Sequence, residues 1–178
     1  THIFNGALCH LICANIVAMK TSPDAVRAAS SLMYGKPTPE LVAYAEHILK
    51  TNERSDQEPK DVPAQHVKAV LEQALRDYGL RDWRVEYSDK NTTDVRASER
   101  QVRLCKNRLF RANDARRLAV HEIGVHALRA ANGYKQPLKL FATGLPKYLA
   151  TEEGLAAYAE RCSGVQDIGT LRRYAAEA

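Results

Sequence analysis

Residues 121–126 read His-Glu-Ile-Gly-Val-His, and the five-residue step between the two histidines constrains the backbone more than any other feature of the chain. Five residues turn a regular α-helix through roughly 500°, which leaves the two side chains about 140° apart. A single π-turn, closed by an i→i+5 hydrogen bond, returns both imidazoles to one face. Gly124 stands between them and tolerates such a distortion. If the two histidines act together, the helix that carries them must be irregular at this point.

Two imidazoles on one helix face, with a glutamate after the first, form a metal-binding pattern. The familiar zinc-peptidase spacing is His-Glu-x-x-His, with the histidines at i and i+4. Catalytic zinc takes three protein ligands and keeps a fourth position for water or substrate. The third ligand can come from Thr151-Glu152-Glu153-Gly154-Leu155-Ala156, on a helix that a loop folds back onto the first. The spacing leaves Glu152 and Glu153 both open for that role. Either choice leaves Glu122, beside His121, as a carboxylate outside the ligand set. There it can take a proton from the attacking water and hand it to the leaving amine.

The rest of the chain supports a domain of mixed architecture. A length of 178 residues is enough for one sizeable core. No window reads as a membrane span; residues 3–19 come closest, but Asn5, His10 and Asn15 interrupt them. The four cysteines, Cys9, Cys13, Cys105 and Cys162, are too few for a disulfide scaffold. Cys9 and Cys13 flank His10, so they read either as packed core thiols, the preferred reading, or as part of a metal site. The cysteine usage as a whole points to a reducing cytoplasm. The net charge is +5, and Arg96, Arg100, Arg103, Lys106, Arg108 and Arg111 form the densest basic run. That run is either a solvated face or a patch for an acidic ligand. It begins at Thr1 and ends within a helical pattern, so the chain reads as part of a longer protein.

Ser22-Pro23 and Thr38-Pro39 each place a capping residue before a proline at the first helical position. Residues 51–60 read as a polar linker, and residues 62–78 as a third long helix with Val67, Val70, Leu71 and Leu75 on one side. Alternation at Trp83, Val85 and Tyr87, then at Val95 and Ala97, then at Val102 and Leu104 predicts three antiparallel strands. The last two form a hairpin around residues 98–100. Asn113 or Asp114 caps a helix over about residues 115–131, ended by Asn132-Gly133. Pro146 opens another helix that runs to Cys162. This divides the chain into a helical N-terminal segment, residues 1–60, and a catalytic region, residues 61–178, within one unit.

The sequence His121-Glu122-Ile123-Gly124-Val125-His126-Ala127-Leu128-Arg129, followed by Asn132-Gly133, Gln136-Pro137 and Glu153-Gly154-Leu155-Ala156, resembles the tyrosine/phenylalanine carboxypeptidase family. Bacterial members of that family are named for a "QEGLA" motif and linked by name to flavohaemoglobin expression. Its animal members are the microtubule-associated tyrosine carboxypeptidases that remove the terminal tyrosine of α-tubulin. Met33-Tyr34-Gly35-Lys36-Pro37 and Pro39-Glu40-Leu41-Val42 resemble the segment upstream of the family's catalytic region. In all, the resemblance covers about residues 30–159. It implies zinc on His121, His126 and Glu153, with Glu122 as the catalytic carboxylate. Glu152 stands where the name-giving motif has Gln, so two glutamates adjoin. The resemblance also implies that the hairpin before the histidine helix lends an edge strand, near residues 93–98, to an extended substrate.

The expected fold is α+β, with a zincin-like, gluzincin-type catalytic region. The expected activity is hydrolysis of a peptide bond next to a C-terminal Tyr or Phe. The partner is then a peptide or protein C-terminal tail, not nucleic acid or membrane. A substrate's terminal carboxylate calls for an arginine fork, and Arg96, Arg103, Arg117 and Arg129 are the candidates. The competing reading is a non-catalytic metal-binding or regulatory module on the same fold, in which Glu122 would have no chemical task.

Overall fold

Two capped helices open the described part of the chain. The computed structural model describes residues 22–51, 59–90, 93–144 and 148–177. The expectations for residues 3–19, for Cys9 and Cys13, for Pro146 and for most of the 51–60 linker fall outside these. Helix α1 (Pro23–Tyr34) begins where the Ser22 side chain accepts a hydrogen bond from the Ala25 N–H at 3.1 Å. Helix α2 (Pro39–Thr51) begins likewise, with Thr38 accepting from the Leu41 N–H at 3.2 Å. Each cap satisfies an N–H that the first turn would otherwise leave without a partner.

Strand β1 (Val62–Pro63) is two residues long and leads directly into helix α3 (Ala64–Asp77). The helix therefore starts at Ala64, later than residue 62, because Val62 and Pro63 pair with a strand further on. Val67, Leu71 and Leu75 lie on its buried face at i, i+4 and i+8. The sheet follows: β2 (Arg84–Ser88), β3 (Asp94–Arg96) and β4 (Gln101–Cys105). Strand β5 (Leu109–Phe110) pairs antiparallel with β1.

The strand order is β2-β4-β3, with β3 antiparallel and β2 parallel to β4. This corrects the expectation of three antiparallel strands. The hairpin between β3 and β4 is present, turned by one 3-10 turn at Ala97–Glu99 and by Arg100 in the left-handed conformation at φ 51°. Strands β2 and β3 run in opposite directions but do not touch; β4 occupies the slot between them. The most apolar strand thereby takes the centre, where Val102 and Leu104 are fully buried. The edge strands carry Arg84 and Glu86 on β2 and Asp94 and Arg96 on β3.

A continuous helical stretch crosses the core next: α4 (Asp114–Leu118), a π-helical segment (Ala119–Ala127) and α5 (Leu128–Lys135). Asn113 does not cap it. The Asn113 side chain donates instead to the Val165 carbonyl at 2.6 Å, and Asp114 accepts from the Arg111 N–H at 3.0 Å. Nor does the helix end at Gly133, which lies inside α5. A Cβ there would stand 2.3 Å from the Phe141 carbonyl oxygen. Gly133 thus serves close contact with helix α6 (Leu140–Thr143), not termination.

Helix α7 (Leu149–Cys162) packs along the π segment, and α8 (Ile168–Glu177) packs on α2. Arg172 ties that last pair by donating to the Leu49 carbonyl at 2.6 Å. The apolar core lies between α3, the sheet and one face of the histidine-bearing helix. It includes Val67, Leu71, Val85, Leu104, Phe110 and Ile123. The fold is α+β. Of the two described cysteines, Cys105 is buried and Cys162 is exposed. No helix among the described residues is long and apolar enough to cross a membrane.

Candidate active site

The helical irregularity demanded by the His121–His126 spacing is present and extends over nine residues, Ala119–Ala127. With the backbone wound in this way, the two imidazoles meet edge to face, with ring centroids 4.9 Å apart. Gly124 leaves room on the opposite side, where an added Cβ would come 3.1 Å from the Tyr78 hydroxyl.

Helix α7 supplies three carboxylates to these two rings. Glu153 faces the outer nitrogens: its oxygens lie 3.4 Å from His121 Nε2 and 3.5 Å from His126 Nε2. Two ligands of one tetrahedral zinc, at bond lengths of ~2.0–2.2 Å, stand about 3.3–3.6 Å apart. The donor atoms of His121, His126 and Glu153 all lie within 4.8 Å of one another. Glu152 and Glu160 face the inner nitrogens. His126 Nδ1 lies 3.0 Å from Glu152 Oε1, and His121 Nδ1 lies 2.8 Å from Glu160 Oε1. A carboxylate can only accept, so each Nδ1 carries the proton and donates it. In the neutral imidazoles this leaves both Nε2 lone pairs directed at the Glu153 side. The donor set thus fits a metal of borderline softness such as zinc, with the tautomers already selected.

The two adjacent glutamates therefore differ in setting. Glu152 is buried; it also accepts from Arg129 Nε at 2.6 Å. Glu153 is exposed towards the groove. The hydrogen bond from His121 holds the Glu153 carboxyl below the usual range. Burial pushes Glu152 up, but the hydrogen bonds from His126 and Arg129 prevail and hold it low. For His121, burial favours the neutral ring. The hydrogen bonds to Glu153 and Glu160 and the charges of Glu122 and Glu160 outweigh it, and the pKa rises to about 9. Glu122 is buried between these groups. Burial pushes its carboxyl up to about 7, against the pull of His121 and His126.

All of this opens on one groove of ≈ 830 Å³, a volume able to hold the end of a peptide. Residues 93–98, at the β3 edge, line it, as do Tyr134, Ala142 and Tyr148.

A family model described as microtubule-associated tyrosine carboxypeptidase matches residues 14–176. The chain belongs to this carboxypeptidase family. No curated protein and no solved structure matches it.

In a carboxypeptidase the placement of the groove's arginines matters, and the four expected from sequence are all engaged. Arg103 clasps Asp94 through two hydrogen bonds, at 3.1 and 2.6 Å, and is not part of the groove wall. Arg96 reaches the same Asp94 at 3.0 Å. Arg117 is buried against Glu160 at 3.2 Å and Asp114 at 3.5 Å. Arg129 holds Glu152 and donates to the carbonyls of Phe141 and Ala142. Arg100 also pairs, with Asp82. Half of the basic run read from sequence is thus neutralised internally. Arg108 differs: it lines the groove with its guanidinium over the Phe110 ring, 5.1 Å from the centroid.

Three groups at the site were not singled out by sequence reasoning: Arg108, Glu160 and Tyr174. Arg108 was visible only as one member of the basic run. Glu160 carried a signal in its spacing, since seven residues after Glu153 is nearly two full turns, on the same face of α7. Tyr174 carried none; α8 brings it to the site through tertiary packing.

Proposed function

We propose that this chain is a zinc-dependent carboxypeptidase with a zincin-like, gluzincin-type catalytic region, hydrolysing the peptide bond next to a C-terminal Tyr or Phe. Family membership supports the carboxypeptidase activity. The single observation that carries the metal reading is the convergence of His121 Nε2, His126 Nε2 and Glu153 beside a buried Glu122. Zinc held by those three residues would supply a Lewis acid for the scissile carbonyl and would lower the pKa of the attacking water.

The chain's own residues do the rest. Glu122 accepts the proton as water attacks the carbonyl carbon, and returns it to the amine nitrogen as the C–N bond breaks. The β3 edge along residues 93–98 offers backbone groups to an extended substrate. For the terminal carboxylate we favour Arg108, since Arg96, Arg103, Arg117 and Arg129 each already hold an internal carboxylate. Arg108→Ala should then raise KM for a Tyr-ending peptide well above the effect of Arg103→Ala; equal effects would return the choice to the predicted set. The family's name links its members to microtubules; for this chain the proposed substrate class is a peptide or protein C-terminal tail ending in an aromatic residue. The proposed setting is the cytoplasm, on cysteine usage.

The test is paired. Zinc stoichiometry and release of tyrosine from a Tyr-ending peptide are measured on the same preparations of wild type and Glu122→Gln. General acid–base catalysis is worth about 10²–10⁴-fold, so the variant should lose at least that much activity while keeping its zinc. Full activity in the zinc-loaded variant removes Glu122 from the mechanism. A zinc-loaded but inactive wild type would favour the non-catalytic module.

A further inference from the structure

We infer that Glu160 is a positioning residue for His121, and that Tyr174, from α8, and Arg117 hold its carboxylate in place. The inference rests on the zinc reading of the site and extends it to a residue outside the ligand set.

Glu160 is fully buried, in the last turns of α7. A buried carboxylate persists only where hydrogen bonds and opposite charge replace its water. Here His121, Arg117 and Tyr174 supply them. Its Oε1 accepts from His121 Nδ1 at 2.8 Å, from Arg117 Nη1 at 3.2 Å and from the Tyr174 hydroxyl at 3.0 Å. Its Oε2 lies a further 3.0 Å from the same hydroxyl. Tyr174 can donate only one proton, so it serves the two oxygens as a shared donor.

The geometry makes His121 the object of this cluster. Glu153 and Glu160 share a face of α7 nearly two turns apart, and the imidazole of His121 bridges them. Its Nε2 faces Glu153 at 3.4 Å and its Nδ1 faces Glu160 at 2.8 Å. Fixing Nδ1–H on Glu160 fixes both the ring's rotation and which nitrogen is left to bind metal. His126 is treated in the same way by Glu152, but there the carboxylate is held by Arg129 near the groove. Glu160 is held from behind, by a residue of the last helix, which itself packs on α2. The packing of α2 and α8 therefore reaches the site through one phenolic hydrogen bond.

The experiment compares wild type, Glu160→Gln and Tyr174→Phe as zinc-loaded and metal-free proteins. Zinc affinity is read by competition with a chromogenic chelator, and folding by thermal unfolding. Partners of this kind typically set metal affinity by 10–100-fold. Glu160→Gln should fall within that range, and Tyr174→Phe should weaken affinity by less, while remaining folded. In both variants the His121 Nδ1–H resonance should shift in the zinc-loaded protein. Lowered melting temperature with wild-type zinc affinity in the folded variants would make the cluster purely structural and overturn the inference. If Glu160→Gln does not fold, Tyr174→Phe alone decides on the same readouts. A wild type that binds no zinc would overturn the site reading itself, whereas tight wild-type binding with unaffected variants overturns only the role of Glu160.

Discussion

The two faces of the histidine-bearing helix are buried by opposite means. On one face Leu118, Ile123, Ala127 and Ala130 join α3 and the sheet in an apolar core. On the other, His121, Glu122 and His126 meet Glu152, Glu153 and Glu160 of α7, with Arg117 and Arg129 between them. The first face gains free energy by removing apolar surface from water. The second spends most of its Coulomb attraction on desolvation, and its net contribution to folding is small. The π segment lets one helix do both: the extra residue rotates the two imidazoles together without displacing Ile123 from the core. Stability and chemistry are thus separated across a single helix.

That separation predicts different failures on the two sides. The largest expected effect on stability is in the core. Leu71 is fully buried, so Leu71→Ala should cost roughly 2–5 kcal/mol. Zinc affinity per folded molecule should stay at the wild-type value, as read by thermal melting alongside chelator competition. A matching loss of affinity would mean that the two faces are coupled.

On the polar side the expected pattern is reversed. Glu152→Gln keeps the shape but weakens the acceptor for His126 Nδ1 and leaves Arg129 without its charge partner. Zinc affinity should drop about 10–100-fold, with a small change in melting temperature. An unchanged affinity would remove Glu152 from the set that orients the histidines.

A smaller effect should appear in pH dependence. His121 has its pKa raised to about 9 in the metal-free fold, from an ordinary 6.5. Its protonated form therefore stabilises the fold fully below pH 6.5, and that contribution is lost as pH rises through 9. Glu122, raised to about 7, adds a loss of the same sign between its ordinary 4.5 and 7. The metal-free protein should thus melt progressively lower from pH 6.5 to 9, and His121→Gln should flatten most of that slope. A slope that survives the substitution would place its origin outside the site.

The division also accounts for what could be read from the amino acids alone. The π segment was legible because a five-residue step between histidines has only one way to put both on a face. Helices α1 and α2 were legible from Ser22-Pro23 and Thr38-Pro39, which are local signals. The order of the strands was not: the choice of β4 as the centre depends on burial of Val102 and Leu104 by elements far away in sequence. Asn132-Gly133 carries the local signal of a helix end, whereas the purpose of Gly133, contact with the Phe141 backbone, is likewise non-local. The same holds for Glu160 and Tyr174. Arg96 and Arg103 are available cations in the sequence alone; in the fold Asp94 pairs with both.

The most direct test of the account is zinc stoichiometry by elemental analysis of the dialysed, folded protein, compared among wild type, Glu122→Gln and Glu153→Gln. The account predicts one zinc per chain in the wild type and in Glu122→Gln, and a sharp fall in Glu153→Gln. A wild type without zinc, or a Glu153→Gln protein that keeps a full equivalent, would contradict it.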